Sequence, residues 1–215
     1  MPSPEEILED FYQRLDGAIA TFETAYPCFQ CPVGCCECCT TVPFLVSLVE
    51  YRLLCEYAKA HLSEERRAEI RQRAQEQAQR YRLSEVLRAE RDLRTRERLP
   101  RLPCPFLEDW RCSIYPARPL ACRLFGRTIF TEGEDAGRFN GCTILLKQAE
   151  AAGQTGKTVP MYSADRLRAQ LNRLNQLIHQ AGGLVGMNTL VKFVAELGFE
   201  WGEEEVRQGH HVLFL

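Results

Sequence analysis

Six of the twelve residues from Cys28 to Cys39 are cysteine, in the run Cys28-Phe-Gln-Cys31-Pro-Val-Gly-Cys35-Cys36-Glu-Cys38-Cys39. Packing does not account for such a run, because adjacent cysteines cannot share one face of a core. Three CxxC pairs thread it: Cys28/Cys31, Cys35/Cys38 and Cys36/Cys39. A tight CxxC turn aims two sulfurs at one point, and backbone N–H groups in the turn can hydrogen-bond the thiolates, an arrangement that suits a metal ion. The adjacent pairs Cys35-Cys36 and Cys38-Cys39 leave the ligand assignment open. Neighbouring side chains diverge, so both members on one tetrahedral ion would strain the backbone. One member of each pair is then a spare, a bridge between two ions, or a ligand of a second site.

The chain carries eleven cysteines, an odd number that no closed disulfide set satisfies. Its start, Met1-Pro2-Ser3-Pro4-Glu5-Glu6, lacks the basic residues and apolar run of a secretory signal, and no later apolar run is long enough to span a bilayer. The expected setting is the reducing cytoplasm, with no membrane partner and with thiols kept for metal rather than for disulfides. Hydrophobic residues make up 45% of the chain, so it can bury a core without metal, unlike a minimal zinc finger. The net charge of −2 sets up no global field of the kind that marks a nucleic-acid or acidic-membrane binder.

A second group, Cys104, Cys112, Cys122 and Cys142, lies in an irregular, proline-rich stretch over 100–142, where reversals of the chain can bring distant sulfurs together. Four of these with four from the first run make eight thiolates, enough for two four-coordinate sites or one multinuclear site. Four thiolates around a divalent ion carry a net charge of −2, which is costly to bury uncompensated. Arg118 and Arg123 flank Cys122 and are the candidates to offset it. Cys55, beside Leu53 and Leu54 in an expected helix, reads as a small buried hydrophobe. His61, His179, His210 and His211 stand at no cysteine-like spacing and read as exposed or tail residues.

Helical periodicity dominates the rest. Residues 3–25 carry an N-cap at Ser3, Pro4 at the first helical position and Glu6 to close a capping box. Ile7, Leu8, Phe11, Leu15, Ile19 and Phe22 then form an apolar stripe. Residues 26–43 read as a cysteine-dense loop broken by Pro27, Pro32 and Gly34. Ser47 and Glu50 form a second capping box, opening a helix to about His61. Residues 63–99 hold eleven arginines and eight acids on a thin apolar stripe of Ile70, Ala74, Tyr81, Leu83 and Leu87. This is a charged helical insert, either a solvated face or a surface for a protein partner. A small hairpin turns around Trp110 at Glu108 or Asp109, a strand is expected from Leu124 to Phe130, and a Gly- and acid-rich loop covers 133–141. Leu167, Leu171, Leu174 and Ile178 mark a helix from Ser163 to Ala181, ended by Gly182-Gly183, and Asn188 caps a last helix to about Leu197. The fold class expected is mainly α, with helices around an irregular, cysteine-rich metal core and a few short strands. It is read as one domain over 1–215, with the cysteine core at 26–62 and 100–145 and C-terminal helices at 160–200.

Cys35-x-x-Cys38-Cys39, Ser47-Leu-Val-Glu50, Cys104-Pro-Phe-Leu107 and Cys112-Ser-Ile-Tyr115-Pro-Ala-Arg118-Pro119-Leu-Ala-Cys122-Arg123 together resemble the YkgJ-like cysteine-cluster (CxxCxxCC) family. The resemblance covers roughly residues 28–145 and is most specific in the CxIYxxRPxxCR stretch. It implies a zinc- or iron-chelating domain, with Cys142 as the later cysteine of the pattern and Tyr115, Arg118 and Arg123 around the ligands. The chain departs from the family spacing at Pro32, where a cysteine is expected. Reading from Cys31 gives CxxxCxxCC and reading from Cys28 gives CxxCxxxCC, so the roles of Cys28, Cys31, Cys35 and Cys36 stay open.

No GxSxG, P-loop or GxGxxG with a following acid appears, so no common hydrolase, nucleotide or dinucleotide chemistry is indicated. Three functions fit the cysteines. One is a non-catalytic zinc or iron protein that handles metal or uses it to stabilise an interaction domain. Another is an iron–sulfur protein with a redox or enzyme-accessory role. The third, a nucleic-acid module using the 63–99 helix, ranks last, because acids interleave its arginines and Tyr81 is its only aromatic residue.

Overall fold

A computed structural model describes residues 2–32, 35–41, 44–83, 102–141, 143–153, 161–181, 183–202 and 206. In chain order the elements are α1 (Pro4–Ala25), α2 (Glu37–Thr41), β1 (Leu45–Ser47), α3 (Leu48–His61), α4 (Glu64–Arg80), β2 (Leu107–Glu108) and β3 (Arg111–Cys112). Then follow α5 (Leu120–Leu124), β4 (Thr128–Ile129), β5 (Phe139–Asn140), α6 (Thr143–Ala151), β6 (Tyr162–Ser163), α7 (Ala164–Gln180), β7 (Met187–Thr189) and α8 (Leu190–Glu196). The chain is mostly helical with few, short strands, and its residues gather into two compact units. The first takes 1–35 and 120–182, the second 36–119 and 183–215. Among the described residues no helix is long and apolar enough to cross a membrane.

In the first unit, α1 opens with the expected capping box. The Glu6 N–H donates to Ser3 Oγ (3.1 Å) and the Ser3 N–H to Glu6 Oε2 (2.6 Å). Its buried stripe is Leu8, Tyr12, Leu15, Ile19 and Phe22. Ile7 is exposed and Phe11 only half-buried, so the stripe sits slightly round from the one expected. Tyr12 fills the difference, because its hydroxyl accepts the Leu120 N–H at 3.0 Å and so keeps its polar end satisfied inside. Phe22 heads a small cluster with Phe29 and Ala149, against which Cys28 and Tyr162 pack. On α7, capped by Ser163, Leu171 and Leu174 are buried while Leu167 and Ile178 are half-buried.

The strand expected from Leu124 is mostly not a strand. The chain makes a helical turn, α5, and only Thr128–Ile129 is extended, between β5 (antiparallel) and β6 (parallel). Two ion pairs to α1 favour the coiled path: buried Arg123 pairs with Asp16, and Arg127 Nε lies 2.5 Å from Glu23 Oε1.

The second unit is built on the β1–β7 ladder, in register Leu45↔Thr189, Val46↔Asn188 and Ser47↔Met187. Each strand runs straight into a helix through its own cap. Ser47 and Glu50 close a buried capping box at α3, as expected. At α8 the cap is Thr189, whose Oγ1 accepts the Lys192 N–H (3.2 Å). Asn188, the cap expected from sequence, instead accepts the Thr189 N–H through Oδ1 (2.9 Å). Helix α4 buries only Ile70 and Ala74 and packs on α8, which fits its thin stripe. Leu87 and the rest of the insert from 84 to 99 lie outside the described residues. Val46, Tyr51, Leu54, Ile70, Phe106, Ile114, Phe193 and Val194 share one core.

Candidate metal centre

Cys38 and Cys39 stand on α2, a single turn closed by hydrogen bonds from the Cys39 and Thr40 N–H groups to the Cys36 carbonyl (2.9 and 3.1 Å). Sequence reading expected only loop here. The two sulfurs lie 3.9 Å apart. Sulfurs that share a tetrahedral zinc ion at about 2.3 Å are about 3.8 Å from one another. The divergence expected of this adjacent pair is therefore absent.

Cys104 and Cys112 come from the two ends of the β2–β3 hairpin, where Leu107 pairs with Cys112 and Glu108 with Arg111. Asp109 and Trp110 form its two-residue turn, both at positive φ (46° and 62°), which confirms the hairpin expected around Trp110. The Cys104 N–H donates to the Cys39 carbonyl at 2.6 Å and so ties the hairpin's entry to α2. Both hairpin cysteines pack against the core of the second unit.

The backbone N–H of the residue two positions on, Phe106 for Cys104 and Ile114 for Cys112, acts to lower the pKa of each thiol. Pro105 has no N–H of its own, so the turn after Cys104 offers the Phe106 amide first. An N–H pointed at sulfur stabilises the thiolate, the form that binds metal. Without a cation the thiols stay protonated. Burial, then the charge of nearby Cys112, push Cys104 up to about 12, with Cys38 adding to the rise and the Phe106 N–H and Arg73 opposing it. Burial also raises Cys112, opposed by the Ile114 N–H and then by the charge of Arg118, with Cys38 and Glu108 acting upward. Cys38, Cys104 and Cys112 thus lie within one another's fields, and their common need is positive charge. The donor set fits a thiophilic ion. Among the described residues, no group of three or more Cys, His, Asp or Glu side chains is placed so that it could hold a metal ion.

The remaining candidates are placed as follows. Cys28, Cys31, Cys35 and Cys122 are half-buried in the first unit, Cys28 in a single 3-10 turn after α1 and Cys122 on α5. Cys36 begins the second unit. Gly34, Cys142, Gly182, His210 and His211 lie outside the described residues. None of the described cysteines is in a disulfide. Arg118 stacks on the exposed Tyr115 ring, 3.9 Å from its centroid, with its charge felt at Cys112. Arg123, by contrast, lies over Tyr12 (4.2 Å) and pairs with Asp16. Cys55 is buried, as expected, but it is not merely apolar: its sulfur accepts the Trp201 indole N–H at 3.4 Å. His61 is exposed and stacked on Tyr57, and His179 lies in the last turn of α7.

Sequence reading missed the charged group beside Cys112. Glu108 holds Arg73 at 2.6 Å and Arg66 at 3.0 Å. The hairpin itself was the available signal, since its register sets Glu108 opposite Arg111, next to Cys112.

A family model described as "CxxCxxCC: Putative zinc- or iron-chelating domain" matches residues 27–143, which include all ten candidate cysteines. No curated protein and no solved structure matches the chain.

Proposed function

Because the chain belongs to the CxxCxxCC family of zinc- or iron-chelating domains, we propose that Cys38, Cys39, Cys104 and Cys112 hold one such ion in the second unit. The observation that carries this reading is the 3.9 Å separation of the Cys38 and Cys39 sulfurs on a turn that the Cys104 N–H ties to the β2–β3 hairpin. Four thiolates complete the coordination of zinc and leave no position for water, so the role is metal handling or metal-stabilised structure rather than catalysis. Arg118 offsets part of the negative charge. Cys28, Cys31, Cys35 and Cys122, all in the first unit, form a second candidate set together with Cys142.

The test is metal and acid-labile sulfide content, with an absorbance spectrum, on protein purified without oxygen. Cys104→Ser and Cys112→Ser are each expected to lose one ion relative to the wild type, while Cys55→Ser loses none. Zinc without sulfide supports the non-catalytic role. Iron with stoichiometric sulfide and a brown colour redirects the same cysteines to a cluster with electron-transfer chemistry. Unchanged metal in Cys104→Ser and Cys112→Ser overturns the assignment.

A further inference from the structure

Trp110 is the second residue of the β2–β3 turn, at φ 62°, and it is 67% exposed. A bulky residue in that backbone region is strained, and strain of this kind concentrates at functional positions. Among the described residues no ring, cation or hydrogen-bond partner meets the indole.

The charges around the turn differ in what they have left to offer. Glu108 is held by Arg73 at 2.6 Å and by Arg66 at 3.0 Å, and Arg66 is shared with Glu69 at 3.4 Å. Asp109 and Arg111, on either side of Trp110, are exposed. Neither side chain makes a hydrogen bond or ion pair among the described residues, with the other or with any neighbour. A cavity of about 530 Å³ opens beside the hairpin with Asp109 and Arg111 in its wall, so both charges can be approached. Three consecutive residues thus offer solvent an unpaired anion, an uncovered indole and an unpaired cation.

That order of charges selects the partner. A surface of one sign, such as a nucleic acid or an anionic membrane, satisfies one of the two charges and repels the other. A second copy of the same tip, turned by a two-fold rotation, complements both. In such a contact residue i meets j and j meets i, so Asp109 of each copy faces Arg111 of the other. Trp110 lies between the two ion pairs, near the axis, where each indole is covered by the opposite hairpin. Tryptophan and arginine are the residue types that most often carry the energy of a small contact.

We propose that the β2–β3 tip is a self-association surface, through which two copies of the chain pair about a two-fold axis with Trp110 as anchor and Asp109 and Arg111 as reciprocal ion pairs. A contact confined to a hairpin tip is small, so the dimer is weak and reversible. The proposal stands independently of the metal reading.

The test is sedimentation velocity of the full chain over about a hundredfold range of concentration, in a phosphine reductant that prevents intermolecular disulfides. The wild type is expected to move from monomer toward dimer as concentration rises, and less so at high salt. Trp110→Gly suits the same backbone conformation and lacks the indole, so it should keep the fold and weaken dimerisation about 10-fold or more. Asp109→Arg and Arg111→Asp each set like charges across the axis and should weaken it about 3- to 10-fold. Combined, they restore opposite charges and should recover the wild-type association. A double variant that pairs no more tightly than either single one, or a Trp110→Gly chain that dimerises like the wild type, overturns the pairing at the tip. A wild type that stays monomeric at every concentration overturns self-association and leaves the tip to a partner of another chemistry.

Discussion

Cys55 and Tyr51 mark how differently a buried thiol behaves away from the cluster. Tyr51 is stacked on Phe193 (4.8 Å), its hydroxyl donates to the Gly198 carbonyl, and Cys55 meets the Trp201 indole N–H beside it. Burial pushes Cys55 up to about 11 from the ordinary 9.0, and raises Tyr51 well above its usual value. Both folded groups keep their protons where the unfolded chain has lost them. For Cys55 the resulting contribution to stability is fully present below pH 9 and is lost as pH rises through 9 to 11; for Tyr51 it is present below pH 10 and is lost above it. For Cys55 alone the gap amounts to roughly 3 kcal/mol once pH has passed both values. Urea unfolding between pH 7.5 and 10.5 should therefore show constant stability to about pH 8.5 and a fall beyond it. Cys55→Ala should flatten part of that fall. An equally steep fall in Cys55→Ala would mean that Cys55 already ionises in the folded state.

At the scale of elements, the β2–β3 hairpin carries an unusual turn. Both turn residues have positive φ, as a two-residue turn matched to the strand twist requires, but the second is a tryptophan that is 67% exposed. Bulky side chains are disfavoured in that backbone region, and Trp110 buries little in return. Trp110→Gly should raise stability by about 0.5 to 1 kcal/mol, read from the urea midpoint, with the register of Leu107 and Cys112 unchanged. A loss of more than 1 kcal/mol would show that the indole packs on something the turn does not explain.

The hairpin was legible because its turn residues sit between short apolar runs, and the capping boxes at Ser3 and Ser47 were legible because each is a four-residue pattern. Three features were not legible. The β1–β7 ladder joins two three-residue strands, too short to alternate visibly, and its register is decided by the core around Val46 and Leu190. The coiled path at Leu124 depends on Asp16 and Glu23, a hundred residues earlier. The convergence of Cys38 and Cys39 depends on a helical turn in a stretch whose composition reads as loop. The ten candidate cysteines could be named from spacing alone. Their division among sites could not, because it follows from which backbone segments fold together.

On the scale of the molecule, Cys104 and Cys112, the deepest of the proposed ligands among the described residues of the second unit, pack only at the edge of its core. The ladder, α3, α4 and α8 are held by apolar contacts of their own. Metal removal should therefore loosen 36–41 and 102–119 first, with the helices partly retained. Hydrogen exchange with and without chelator should show lost protection at the Cys39, Cys104, Phe106 and Ile114 amides and little change through Tyr51–Ala58. Equal loss throughout the second unit would mean that the ion holds the whole unit together, as in a minimal zinc finger.

The central claim is that sulfur alone surrounds the ion. X-ray absorption at the metal edge of the purified chain measures this directly. For zinc the account predicts a first shell of about four sulfurs at about 2.3 Å, with no nitrogen or oxygen near 2.0 Å. A shell rich in nitrogen or oxygen, with fewer than three sulfurs, would contradict it.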